Sequence, residues 1–156
     1  MSRIRYRALL IWMLAAAVGF GRGGDSGAAA EYVGGTLAAL EPGSPGSVLT
    51  TDPISFIFQT KRASVRIPYE RINLIEYGQK VNRRLWEAVV ISPLLVLSKK
   101  RAHYLAVGFE GEDGRQQAML FRVEKGAIMA VLVSLEARTG RKVSYMDEDA
   151  RKAGKG

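Results

Sequence analysis

The chain has 156 residues, a formal net charge of +8, one histidine and no cysteine. Disulfide bridging, lipid attachment at a cysteine and a Cys-His dyad are therefore excluded, and a histidine-rich metal cluster cannot be built. A fold of this size without cross-links has to rest on its apolar core.

The first thirty residues have the three parts of an export signal. Arg3, Arg5 and Arg7 form a positive start, and Ala8 to Phe20 is an unbroken apolar run of 13 residues. A glycine-rich stretch, Gly21 to Gly27, leads to Ala28-Ala29-Ala30, where small residues predict cleavage before Glu31. Spanning a membrane takes roughly 20 apolar residues, so the run reads as a cleaved leader over residues 1–30 rather than an anchor. The leader carries four arginines and Asp25, which leaves +5 on the remainder. Export makes the expected location secreted or periplasmic and argues against nucleic acid as the partner of this basic chain.

Beyond the leader, the pattern predicts mostly strands. Tyr32 to Leu37 is a short first strand, Glu41 to Gly46 a proline- and glycine-rich turn, and Ser47 to Thr51 a second strand. Ile54 to Gln59 alternates, with Ile54, Phe56 and Phe58 expected on one face. After a turn at residues 61–64, Val65 and Ile67 begin a strand that Pro68 should end. Ile72 to Gln79 is extended, with Ile72 and Leu74 opposite Ile75 and Tyr77. Tyr104 to Phe109 and Gln117 to Val123 flank Gly111-Glu112-Asp113-Gly114 and predict a hairpin. The period then changes. Ile128, Val131, Leu132 and Leu135 lie on one face of a helix, with Arg138 at its negative end and Gly140 as its stop. Arg141 to Met146 reads as a last short strand. Residues 147–156 hold almost no apolar side chain and are expected to form a disordered charged tail.

The fold class expected is α+β, mainly antiparallel, over residues 31–146. Ser47 to Asp52, Ile54 to Phe58, and Val65-Arg66-Ile67-Pro68-Tyr69-Glu70-Arg71-Ile72 together resemble the run in pleckstrin-homology-like (PH-like) domains of the GRAM type, where a strand leads to an IPY-x-x-I step. The hairpin and helix from Tyr104 to Gly140 resemble the end of such domains. The resemblance implies a β-roll or barrel of about seven strands closed by a C-terminal amphipathic helix. It does not carry over the phosphoinositide site. Members that bind such headgroups have basic residues in the first hairpin loop, and Glu41 to Gly46 is acidic and proline-rich.

No catalytic signature stands up. Gly19-Phe20-Gly21-Arg22-Gly23-Gly24 has the G-x-G-x-x-G spacing but no βαβ context, and it lies in the leader. His103 follows Lys99-Lys100-Arg101 with no catalytic partner in sequence. Glu110, Glu112 and Asp113 belong to a turn, and Asp147-Glu148-Asp149 lacks the calcium-loop spacing. There is no G-x-S-x-G elbow. The reading is a non-enzymatic chain with no cofactor and no metal.

One segment is unusual. Leu85 to Leu97 is apolar except for Glu87 and Ser92, with Arg83-Arg84 before it and Lys99-Lys100-Arg101 after it. Packed inward, it covers part of the fold and its basic flanks are a solvated rim. Turned outward, Leu85, Trp86, Leu94 and Leu95 enter the membrane interface while Arg83, Arg84, Lys99, Lys100 and Arg101 hold anionic headgroups. Pro93 bends the run, which is too short to span. The function expected is an exported binding module whose partner is a protein or an anionic membrane surface. The alternative is an envelope-assembly protein using the same segment as a subunit interface. In a secreting host the chain is expected to mature at or within a few residues of Glu31, which intact-mass measurement of the exported protein checks.

Overall fold

Strict alternation of apolar residues makes a chain bury one sheet face, and here it does so in two antiparallel meanders. In the computed structural model, residues 27–80, 90–91 and 102–154 are described. The first meander is β1 (Ala28–Gly35), β2 (Ser44–Leu49), β3 (Ser55–Thr60) and β4 (Ser64–Pro68). A single 3₁₀ turn, Tyr69–Arg71, leads to β5 (Ile72–Gly78). After the two-residue β6 (Val90–Ile91) come β7 (His103–Glu110), β8 (Gln116–Val123) and helix α1 (Ile128–Thr139). The short β9 (Ser144–Tyr145) and helix α2 (Glu148–Ala153) follow.

The meanders become one sheet because β1 pairs with β8, which puts Tyr32 opposite Phe121 and Ala30 opposite Val123. The order is β4-β3-β2-β1-β8-β7-β5-β9, with β6 attached to β1. The fold is thus α+β and mainly antiparallel, the exception being the parallel β5–β9 pair. The path is open, from β4 at one edge to β9 at the other.

The core lies on one face. Phe121 meets Phe58, Phe56 and Tyr32 at ring-centroid distances of 4.8, 5.9 and 6.0 Å. Burial pushes the Tyr32 phenol up to about 12. Its hydroxyl lies 2.4 Å from where a Cβ on Gly35 would stand, so any larger residue there collides. Helix α1 completes this core with Ile128, Val131, Leu132 and Leu135, the four residues its period singled out. It stops at Gly140 in the left-handed region, φ 68°, whose N–H bonds back to the Glu136 carbonyl.

Several expectations are corrected. Ile54 is 71% exposed and precedes β3, where Phe56 and Phe58 alone face the core. In β5 a register shift between Ile72 and Leu74 puts Ile72, Ile75 and Tyr77 in the core together and leaves Leu74 at the surface. The first turn is shorter than expected. Gly43 takes the positive φ of 91°, and Ser44 to Gly46 already belong to β2. Ala28-Ala29-Ala30 open strand β1, with Ala30 buried, so the sheet begins before Glu31. The region expected as a disordered tail contains α2, capped by Asp147 and anchored by the fully buried Ala150.

Truncating Leu132, 3% exposed in this core, is expected to cost about 2–5 kcal/mol as Leu132→Ala. Chemical denaturation of both proteins measures it. A change under about 0.5 kcal/mol, typical of surface positions, would contradict the helix packing.

Candidate functional site

The nine residues singled out for contact, Arg83, Arg84, Leu85, Trp86, Leu94, Leu95, Lys99, Lys100 and Arg101, lie outside the described residues. Of the apolar run, Val90 and Ile91 are described as β6, paired with Gly35 and Gly34 of β1. What can be built upward is the place where this segment leaves the sheet and returns to it.

Departure and return are adjacent. β5 ends at Gly78, which pairs with Tyr104 of β7, so the chain leaves the sheet next to the place where it returns. The departing strand is held by Asp147. One oxygen of its carboxylate accepts from the backbone N–H groups of Gln79 at 2.8 Å and Lys80 at 3.1 Å. The other accepts from Ala150 N–H at 2.7 Å and caps α2. A single carboxylate thus satisfies three backbone donors, and charge-assisted bonds of this kind are the stronger ones. The Met146 N–H adds a bond to the Tyr77 carbonyl at 2.8 Å.

The returning strand is held by His103. Its ring stacks on Tyr77, with centroids 5.9 Å apart and planes within 3°, and its Nδ1 lies 2.6 Å from the Tyr77 hydroxyl. Burial, then the Lys125 charge, holds the imidazole below its ordinary pKa. Burial raises the phenol; a bond to Gln79 opposes this, and the Asp147 charge and Tyr145 add to it. Both shifts favour a neutral pair in which the phenol donates to an unprotonated Nδ1. Tyr145 of β9 packs edge-on against the same Tyr77 ring at 6.2 Å. Beside this clamp, Arg122 and Glu31 form an ion pair across β8 and β1.

The chemistry available here is positioning. Among the described residues no group of three or more His, Asp or Glu side chains could hold a metal ion. No described helix is long and apolar enough to cross a membrane. Sequence reasoning placed His103 at a strand start but assigned it no partner, since Tyr77 is 26 positions away. Asp147 was missed because the backbone N–H groups that donate to it lie 68 and 67 positions earlier. The one available signal was its N-cap residue type, followed by Glu148 and Asp149 in the first helical turn. No family model and no curated protein matches this chain.

His103 makes stability depend on pH. Its pKa is lower folded than unfolded, so the unfolded chain binds the proton first. The stabilising contribution is complete above the ordinary histidine value of about 6.5 and is lost as pH falls below it. Glu76, raised by burial, acts with the opposite sign at lower pH and is present in any His103 variant. The parent is therefore expected to lose more stability than His103→Gln between about pH 8 and pH 5.5. Urea unfolding of both proteins at the two pH values checks this, and equal losses would contradict it.

Proposed function

We propose that the chain is an exported, non-catalytic binding module of the PH-like class, contacting an anionic membrane surface through residues 83–101. Leaving aside the two-residue β6 and β9, the described strands number seven and run as two meanders before α1. That arrangement supports a PH-like roll with the helix laid over its core.

The observation that carries the membrane reading is the pairing of Gly78 with Tyr104. Arg83-Arg84 follow Lys80 within four residues, and Lys99-Lys100-Arg101 precede Ala102 within three. Chain connectivity keeps both basic clusters within about 14 Å of one clamp. Five cations brought that close attract anionic lipid with on the order of 1 kcal/mol each. Trp86 and Leu95 beyond them supply the apolar contact. A headgroup site in the first hairpin loop has no support, since Glu41 there is acidic and Gly43 forms the turn.

The protein is expected to float with anionic vesicles at low salt, to bind neutral ones weakly, and to release in part as salt rises. The Debye length falls from about 10 Å at 0.1 M to 3 Å at 1 M, which screens the charges and spares the apolar contact. Charge reversal at Lys99, Lys100 and Arg101 should abolish the anionic preference with circular dichroism unchanged. A parent that ignores anionic vesicles, while self-associating through the same segment, would favour the subunit-interface alternative and end the membrane reading.

A further inference from the structure

Where β7 begins and β8 stops, the sheet ends in a shallow depression of about 470 Å³, within the range of about 300–1,000 Å³ found for small-ligand sites. Ala30, Pro45 and Val123 line it with small apolar side chains, and His103, Arg122 and Lys125 bring polar ones. The backbone here is fixed. The Glu124 N–H donates to the Ala29 carbonyl at 3.0 Å, and the Glu124 carbonyl accepts from the Ala127 and Ile128 N–H groups at 3.1 Å. Lys125 is thereby carried on a turn tied at both ends, at the entry to α1. His103, across from Val123, is held by the Tyr77 ring on which it stacks and by the phenol 2.6 Å from its Nδ1.

The polar groups that these three side chains have left to offer are donors. With the phenol donating to Nδ1, the imidazole carries its proton on Nε2, and no described residue accepts from it. Lys125 makes no ion pair among the described residues, yet its charge is close enough to bear on the imidazole. Arg122 spends one nitrogen on Glu31 and keeps further N–H groups. That pair is neutral as a unit, and Glu124, exposed, is the one other carboxylate among the described lining residues. Donors on several sides of one depression suit a tetrahedral oxyanion, which offers several acceptor oxygens, better than a planar carboxylate. We propose that this depression binds a phosphate group through the His103 Nε2–H and the Lys125 ammonium, the phosphate being that of an anionic lipid headgroup. The source of the phosphate rests on the membrane reading; the site itself does not. Ala102, also in the lining, follows Lys99, Lys100 and Arg101 directly in the chain, which joins the depression to a basic flank of the segment proposed for contact.

The chain has one histidine, so its ring signal in NMR reports on this place alone. At about pH 7.5, above the ordinary histidine value of about 6.5, inorganic phosphate is expected to shift that signal saturably, while sodium chloride at equal ionic strength does not. Lys125→Ala removes an exposed side chain with no described partner. It should weaken phosphate binding by roughly tenfold, as for loss of one charge-assisted bond, with circular dichroism unchanged. Glu124→Gln should strengthen binding, since a competing carboxylate is gone. Absence of a saturable shift, or an equal one in Lys125→Ala, would overturn the site. Flotation with phosphatidylglycerol vesicles then tells a lipid headgroup from free phosphate. His103→Phe keeps the stacked ring and, at this pH, the net charge, yet it should float less than the parent. Should it not fold, Lys125→Ala takes its place and should float less than Lys142→Ala, an equal loss of charge elsewhere. Flotation undiminished in these variants, beside a normal phosphate titration of the parent, would overturn the lipid source and assign the site to free phosphate. A parent that binds inorganic phosphate but floats with no anionic vesicle would end the membrane reading and leave the phosphate site standing.

Discussion

Pairing of β1 with β8 is the constraint on which the rest of the structure depends. Each meander alone has an apolar face and nothing to lay it against. When Tyr32 pairs with Phe121, rings from both meanders become neighbours, and Phe121 touches Phe56 and Phe58 as well as Tyr32. The contact is costly to form, because residues about 90 positions apart in the chain must meet before their burial rewards the lost freedom. Its reward is large, since each aromatic ring buries up to 150–250 Å² and ring pairs add about 0.5–1.5 kcal/mol beyond area. Helix α1 follows from it, because Ile128, Val131, Leu132 and Leu135 have a surface to cover only once the two meanders share a face.

The same pairing gives β1 a divided role on its other edge. Residues Ala28 to Tyr32 take β2, and after the register irregularity before Gly34 the edge is open to β6. Glycine suits this position twice. Gly35 passes over the Tyr32 hydroxyl and the Ala118 carbonyl, each 2.4 Å from where its Cβ would be. A bulge that re-aims the end of a strand is a common way for a sheet to recruit a chain segment from elsewhere. Here the recruited segment returns to a clamp made by Asp147, Tyr77 and His103. The C-terminal residues are thereby part of the fold, through the buried Ala150 and the carboxylate that holds Gln79 and Lys80.

How much of this was legible in the sequence depends on the range of the interaction. Helix α1 was read correctly because its period is local and its stop is a glycine. The hairpin of β7 and β8 was read correctly because Gly114 and the alternation on either side fix the register of neighbours. Ile54 was misread because alternation does not say where a strand begins; Asp52 accepts from the N–H groups of Ile54 and Ser55 and starts β3 one residue later. The face assignment of Leu74 failed because a bulge breaks the two-residue period without leaving a residue signature. Helix α2 is short and charged, and its stabilisation comes from Asp147 and Ala150 meeting distant strands, which composition cannot show. The segment proposed for contact was visible in sequence as a run of apolar residues between basic clusters. The adjacency of Gly78 and Tyr104 at its two ends was not, because that depends on strand order.

That strand order gives the two meanders different second faces. Antiparallel sheets commonly turn one face to water, and the first meander keeps polar residues such as Gln59, Arg66 and Ser47 away from the core. The second meander does not follow that rule at its centre, where Ala106 and Leu120 oppose each other on the side away from the aromatic cluster. A leucine fully withdrawn from water is worth roughly 1.5–3 kcal/mol, a large share of the stability of a domain this size. At its centre the sheet is therefore buried on both sides, and Leu120 adds to the stability that the aromatic cluster supplies from the other side.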